Sequence, residues 1–459
     1  MNTSGREPST TDSRLAGGLR SVAPVRVFAA ALGFAIPLIA ARLLSPDELG
    51  VFFLLLSAIA VFTVLFAVGI PESGLREIAG AIGEGDRRQA MRDTAVTLIL
   101  GSCLSVLAFA VFMGVGYWAI TWLFDSPAIT GVAVGVGIWL GAGVLARVIA
   151  LVLKGYSRFA WSEALLDGIS GGLLQRSLVL VALAGLLVLD WDATLALVTL
   201  IGAVATLATV GVGFLVLRGS FSFRFGGSYG GLWSRARFLF RVGVPVMLTG
   251  LVILVWQQAD LWILGAMSTE ADVAAYGAAI RLVALVSLPL VVVNGVVPPI
   301  ISDLTRAGQT VELESSLRSA TTAAALVSGI GVLLFIVLGG QMLGIFFGPF
   351  YSQAAPVLVW LGLGALVSVW AGPCGLVLML SGYERDLLVI TTAVLTLGFL
   401  AGIGMLAVAG ATGLAAAIAV SRAAHNVAMA YWVRRRMGLT TWMYASPREV
   451  RRALGNVIG

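Results

Sequence analysis

Four arginines lie inside long apolar runs: Arg147, Arg176, Arg281 and Arg422. Asp260 is the one carboxylate placed comparably deep. A guanidinium stays charged at any accessible pH and offers a planar fork of N–H donors that matches a phosphate. Ionisable groups inside hydrocarbon cost several kcal/mol and face a bundle interior or a wet cavity. Four deep cations against one deep anion make a cationic interior. Such a lining suits an anion, above all a pyrophosphate, rather than an organic cation. The competing reading is structural. Arg147, and Arg26 near the end of its own run, would snorkel to the interface. The other three would pair with backbone or with Asp260.

Asp260 follows Trp256, Gln257 and Gln258 and lies within one turn of both glutamines. It is read either as a proton or sodium site or as the structural partner of Arg281 across a tight hairpin; residue types leave both open. His425, the only histidine, is beside Asn426 and one turn from Arg422. A packed or hydrogen-bonded role suits it better than a proton relay. Cys103 and Cys374 are far apart, both inside apolar runs, with no metal spacing and no disulfide framework. No paired carboxylates and no nucleophile–base arrangement stand out. Neither catalysis nor a cofactor is therefore expected.

The elements that must position these side chains are apolar helices. Of the 459 residues 59% are hydrophobic and 11% charged, and mean hydropathy is +1.00. A run of about twenty apolar residues crosses ~30 Å of hydrocarbon as a helix, and only helices or closed barrels satisfy the backbone there. Twelve spans are expected: 22–42, 49–70, 94–123, 128–153, 165–189, 193–217, 241–266, 274–301, 318–346, 355–380, 386–409 and 411–433. At ~1.5 Å per residue, Arg176 and Arg422 fall near the midplane. Arg281 and Asp260 come closer to one face, and Arg147 lies toward the other.

Charges between spans sort by side. One set of loops holds Arg76, Arg87, Arg88, Arg92, Lys154, Arg158, Arg218, Arg224, Arg235, Arg237, Arg306, Arg318 and Arg385, with Arg434, Arg435 and Arg436 after the last span. The opposite loops hold Asp47, Glu48, Asp125, Asp190, Asp192, Glu270 and Asp272. Lys and Arg resist translocation, so the basic side is expected to be cytoplasmic, with both termini inside. The net charge of +6 thus belongs to membrane topology and not to nucleic-acid binding. The polar, Ser/Thr-rich residues 1–21 read as a disordered cytoplasmic tail.

The second six spans repeat the first six. Trp139-Leu140-Gly141-Ala142-Gly143 matches Trp360-Leu361-Gly362-Leu363-Gly364. Gly155-Tyr156-Ser157-Arg158 matches Gly382-Tyr383-Glu384-Arg385. Ser45 to Gly85 follows Ser268 to Gly308, with Phe53 opposite Tyr276. Six spans per repeat keep the halves parallel, which suggests a central cavity and alternating access. The expected organisation is an N-terminal lobe over 22–218, a glycine-rich linker over 219–240 whose Trp233 and Phe238–Phe240 alternate with Arg235, Arg237 and Arg241, a C-terminal lobe over 241–436, and a basic tail over 437–459. In that tail Ser446-Pro447-Arg448-Glu449 has the form of a capping box.

Several motifs resemble the polysaccharide biosynthesis (oligosaccharide-lipid flippase) proteins of the multidrug/oligosaccharidyl-lipid/polysaccharide exporter superfamily. Arg42-Leu43-Leu44-Ser45-Pro46-Asp47-Glu48-Leu49-Gly50-Val51-Phe52 looks like their first hairpin. Gly69-Ile70-Pro71 and Leu75-Arg76-Glu77-Ile78-Ala79 are similar to their second-helix exit. Asp260-Leu261-Trp262-Ile263-Leu264-Gly265 with Val273-Ala274-Ala275-Tyr276-Gly277 looks like their seventh-helix aspartate and following tyrosine motif. The resemblance implies an all-α integral membrane protein of two pseudo-symmetric six-helix lobes around a V-shaped cleft. It also implies a polyprenyl-pyrophosphate oligosaccharide as substrate, flipped from the cytoplasmic to the outer leaflet of the cell membrane. Proton or sodium coupling, and contacts with glycan-assembly membrane proteins, are left open. Twelve spans rather than fourteen count against the lipid II branch. One rival is a multidrug extrusion antiporter, which would want acidic or aromatic cavity groups. Another is a membrane glycan polymerase, which would want a long exterior loop that this chain lacks. A purely structural scaffold would leave the deep arginines unexplained.

Overall fold

The computed structural model describes residues 28, 31–116, 118, 132–166, 172–220, 232–444, 446 and 449–450. The amino-terminal tail, Arg26, the glycine run before Leu232 and most of the tail expected to follow Ser446 lie outside the described residues.

The chain forms two compact units, Ala29–Ala274 and Ala275 onward. The first holds α1 (Ala31–Leu43), α2 (Pro46–Ala67), α3 (Ile70–Gly83), α4 (Arg87–Val111, continued by a π-helical turn Phe112–Gly116), α5 (Ala133–Gly155), α6 (Phe159–Leu165), α7 (Leu173–Val188), α8 (Leu195–Ser220) and α9 (Leu232–Met267). Residues 232–240, placed in the linker and suited by sequence either to a helix in the headgroup layer or to an early start of the seventh span, are the first turns of α9. Local chemistry sets the starts. Ser45 caps α2 in a reciprocal box with Glu48, and Pro46 occupies the first turn. Asp86 caps α4 by accepting the Gln89 N–H at 2.9 Å.

α5 is the hub of this unit. It is buried on nearly all sides and packs on α2, α3, α4, α6 and α8. Small residues make this possible: a side chain on Gly141 would put its Cβ 2.9 Å from the Ser105 carbonyl oxygen, and Gly101 sits against Val148. α9 packs on α2, α3 and α4. At that crossing Gly69 and Gly243 meet backbone to backbone, with no room for a Cβ on either.

The second unit contains the rest of α10 (Glu270–Arg306), α11 (Thr310–Phe346), a 3-10 turn (Pro349–Ala354), α12 (Ala355–Ala371), α13 (Cys374–Leu380) and α14 (Glu384–Met437). α14 is bent at Ala409 and Gly410, whose backbone is not helical. Its tightest partner is α12, where a Cβ on Gly364 would stand 2.7 Å from the Ala419 Cα. The core gathers Val297, Ile301, Leu317, Val369, Leu378 and Val433.

Among the described residues nine helices are long and apolar enough to cross a membrane. The bend divides one of them, α14, into two segments, and α1 and α7 are shorter apolar helices. Together they make twelve apolar helical segments, and no strand occurs among the described residues. The protein is an all-α, multi-pass membrane protein of two six-segment halves.

The repeat is legible in hydrogen bonds. Asp86 N–H donates to the Ala81 carbonyl and Arg87 N–H to Gly85. In the second half Gln309 N–H donates to Leu304 and Thr310 N–H to Gly308. Gly85 and Gly308 are both left-handed, at φ 78° and 69°. After α5, Arg158 N–H reaches back to the Leu153 carbonyl around left-handed Ser157. After α13, Tyr383 N–H reaches Leu378 around left-handed Gly382. This turn equates Ser157 with Gly382, two residues away from the register of the Gly-Tyr-x-Arg match. The first hairpin is offset as well: the start that corresponds to the Ser45–Glu48 box is Thr269 with Asp272, one residue from the Ser45–Ser268 register.

Candidate functional site

Arg147, on α5, is held by Glu72 in the first turn of α3. Its Nη2 and Nε donate to Glu72 Oε1 at 2.5 and 3.2 Å, and each side chain is about a quarter exposed. The expectation was a cation lining a cavity or snorkelling to the interface. The structure instead places the guanidinium in an interhelical ion pair, with a carboxylate 75 residues away in sequence.

Arg176, on α7, is half-buried. Its guanidinium occupies the space that a side chain at Gly33 of α1 would take: a Cβ there would be 3.0 Å from Arg176 Nη1. The neighbouring Gln175 is buried and donates through Nε2 to Thr206 Oγ1 at 2.8 Å, fastening α7 to α8. Thr206 in turn donates to the Gly202 carbonyl at 2.8 Å. Arg176 therefore projects from a fixed turn toward a helix that keeps a glycine opposite it.

Asp260 is 1% exposed. Its Oδ1 accepts the N–H of Leu261 at 3.0 Å. Two residues on, Trp262 Nε1 donates to Ser57 Oγ of α2 at 2.7 Å, and Ser57 donates to the Leu54 carbonyl.

In the second unit Arg281 is half-buried on α10, and its Nη1 donates to the Gly277 carbonyl one turn earlier at 3.2 Å. Arg422 is half-buried on the second segment of α14. The turn that carries it is tied down on two sides. Asn426 Nδ2 donates to the Arg422 carbonyl and to Ser368 Oγ of α12, both at 2.9 Å. His425 Nε2 is 3.0 Å from Thr391 Oγ1 in the first segment of α14. The hydrogen-bonded reading of His425 matches this geometry. In apolar surroundings such polar ties fix helix phase, because the alternative is an unmade bond.

Sequence reasoning missed a second charged cluster at the arginine-rich end of the first unit. Arg235, in the first turn of α9, donates from Nε and Nη2 to both oxygens of Asp93 on α4, at 2.6 and 2.8 Å. It donates again from Nη2 to Glu77 of α3 at 2.7 Å. The Asp93 side chain is 2% exposed. Next to it, Tyr156 shares a 3.0 Å hydrogen bond with Thr94. Burial pushes the Tyr156 hydroxyl above the usual tyrosine range; the Thr94 bond opposes that shift and the Asp93 charge adds to it. The hint in the sequence was a buried-type carboxylate, Asp93, at the start of an apolar run.

Among the described residues no group of histidine, cysteine and carboxylate side chains could hold a metal ion. What the deep positions offer is guanidinium chemistry. Arg176, Arg281 and Arg422 are half-buried guanidinium groups on apolar helices, and guanidinium as a group forms charge-assisted bonds with oxyanions.

The fold is similar to solved transporters. A multidrug resistance MATE family transporter of the MOP superfamily, described as inward-facing, superposes with a TM-score of 0.74 at 16% identity, over 92% of this chain and 98% of that one. A mutant MATE transporter from Vibrio cholerae gives 0.63 at 15% identity, over 94% and 99%. A MOP superfamily transporter from Pyrococcus furiosus, described as having a binding pocket of reversed polarity that suggests a different function, gives 0.60 at 16% identity, over 94% and 96%. Among curated proteins the sequence finds no significant match. The family model described as polysaccharide biosynthesis protein matches residues 20–305. That stretch runs through the whole first unit and into the second, and on this match the chain belongs to the polysaccharide biosynthesis protein family.

Proposed function

We propose that this transporter flips a polyprenyl-pyrophosphate-linked oligosaccharide from the cytoplasmic to the outer leaflet of the cell membrane, by alternating access. The observation that carries the proposal is the placement of half-buried arginines on apolar helices of both units: Arg176 in the first, Arg281 and Arg422 in the second. A membrane protein retains such charges where they serve a pathway, and a diphosphate is an anion that a guanidinium fork can hold bidentately. Family membership supplies the glycan side of the reading. The Pyrococcus furiosus relative is described as having a pocket of reversed polarity, and a cationic site here would be in keeping with such variation within one fold. Arg147, engaged by Glu72, enters the proposal as a brace between α3 and α5, not as a ligand of the head group.

The arginine-rich ends of the helices are assigned to the cytoplasm by their charge. Buried Asp260 is the candidate for proton or sodium coupling. Glycan-assembly membrane proteins would supply and consume the substrate on either face.

The second reading, ion-coupled extrusion of cationic drugs, is favoured by the likeness to MATE transporters. One experiment separates the two. Purified protein is reconstituted in liposomes with a fluorescent polyprenyl-pyrophosphate oligosaccharide, and the sugar's accessibility to an external glycan-binding probe is followed. Transfer above that of protein-free vesicles supports flipping. Absent transfer, with or without an ion gradient, together with efflux of cationic dyes, would replace it with drug extrusion.

A further inference from the structure

In each half the polypeptide that leaves the sixth apolar segment turns back and docks on that half's third segment, at the arginine-rich end. In the first half the sixth segment is α8 and the third is α4. The chain returns as the first turns of α9, where Arg235 grips Asp93 of α4 through two hydrogen bonds and Glu77 of α3 through a third. The guanidinium also lies over the Phe238 ring, 5.1 Å from its centroid. Ala236 and Leu239 on the same side are buried, while Trp233 and Arg237 face outward.

In the second half the sixth segment is the latter part of α14 and the third is α11. The chain leaves α14 at left-handed Gly438 and runs on without regular structure to Tyr444. Thr440 N–H donates to Glu314 at 3.1 Å, and Arg318 Nε donates to the Trp442 carbonyl at 3.2 Å. Tyr444 N–H donates to Thr322 Oγ1 at 3.0 Å. The Arg318 guanidinium stacks 4.0 Å from the Tyr444 ring centroid. Two further bonds reach the end of α12: Thr441 Oγ1 to the Ala371 carbonyl at 2.8 Å, and Met443 N–H to the Trp370 carbonyl at 3.1 Å. Thr441 is fully buried.

We infer that these two exit segments are straps, each of which makes the arginine-rich end of the half it docks on one rigid piece. Neither is needed to complete a helix: α4 and α11 are continuous helices on whose sides the straps dock. Both satisfy groups that would otherwise be costly to bury, a nearly inaccessible carboxylate in one half and a run of backbone N–H groups in the other. The two differ in kind. The first strap is an ion cluster and leaves a carboxylate behind when broken. The second is made of strap backbone groups held by Glu314, Arg318 and Thr322 together with an arginine–tyrosine stack, so no single charge carries it. Because the first strap is the beginning of α9, the opening segment of the second half, it also fixes that helix to α2, α3 and α4.

The test is amide hydrogen exchange on the full-length protein in lipid nanodiscs, which reads local opening segment by segment. Arg235→Gln should speed exchange about tenfold or more in residues 87–97, and leave 310–322 unchanged. Arg235→Glu should do so more strongly, and Asp93→Arg combined with Arg235→Asp should recover part of the protection. Ending the chain after Gly438 should speed exchange in 310–322 and at the end of α12, and leave 87–97 unchanged. The truncation keeps the idea testable should the buried swap fail to fold. Unchanged protection in the adjoining segment, or a loss spread evenly over both halves, would overturn the inference.

Discussion

The Arg176 guanidinium fills the place of the side chain that Gly33 lacks, with Nη1 3.0 Å from where a Cβ would sit. A methyl group there would press on the movable end of a long side chain, whereas a branched residue would displace it. If Arg176 serves the head group, Gly33→Val should lower the transfer rate to the level of Arg176→Ala, and the double mutant should add nothing further, as expected for two changes acting on one group. Arg281→Ala and Arg422→Ala should impair transfer without loss of membrane insertion. Rates in proteoliposomes at matched protein levels check this. Normal transfer in all the arginine variants would remove the site.

The pair Arg147–Glu72 makes a different prediction. Arg147→Ala leaves a partly buried carboxylate without its cation and should cost about 1–3 kcal/mol of stability. Adding Glu72→Ala should return part of that loss, because the orphaned charge goes with it. Denaturation of the purified variants in detergent gives the coupling, and strict additivity would show that the pair does not brace α3 to α5.

Trp262 and Ser57 should behave asymmetrically. Ser57→Ala removes the acceptor of a 2.7 Å indole hydrogen bond and strands a donor, at a cost of about 1–3 kcal/mol. Trp262→Phe removes donor and bond together and should cost less through the hydrogen bond, though more through lost packing. Pairing Ser57→Ala with Trp262→Phe isolates the bond, since the serine change should then be close to neutral.

The pH dependence of stability should carry the mark of Tyr156. Burial raises its hydroxyl, the Thr94 bond opposes and the Asp93 charge adds, so the folded protein holds the proton more tightly than the unfolded chain. Its contribution is intact below the unfolded value of about 10 and is lost as pH rises through the folded one. Melting temperature should fall on the alkaline side of pH 10, and Tyr156→Phe should flatten that fall.

The helices were legible in the sequence because length and apolarity suffice to mark a span. The bend at Ala409–Gly410 lies where two spans were expected to meet, and all-helical architecture follows from the same signal. Partners were not legible, for a physical reason. Helices such as α2 and α5 are apolar on every side, so hydrophobic periodicity does not say which face meets protein and which meets lipid. Hence Arg147 was visible and its tie to Glu72 was not, and Arg235 was visible as a basic residue among aromatics without its partners Asp93 and Glu77. Register suffered similarly. Gly155-Tyr156 and Gly382-Tyr383 match by letter, but the turn is built around Ser157 and Gly382, and only backbone hydrogen bonds reveal the shift.

The interruption at Val68 and Gly69 carries one more consequence. Both residues are left-handed there, at φ 50° and 71°, a conformation that a β-branched side chain adopts only at a cost of about 1–3 kcal/mol. The first half spends 40 residue steps from Ser45 to Gly85, and the second spends 39 from Thr269 to Gly308. The first half interrupts its helix at this gap, while α10 stays continuous through Pro289, Pro298 and Pro299. The interruption is pinned in place, because Gly69 lies backbone to backbone against Gly243 of α9. The two halves thus share the turns at either end of this element but not the backbone that joins them.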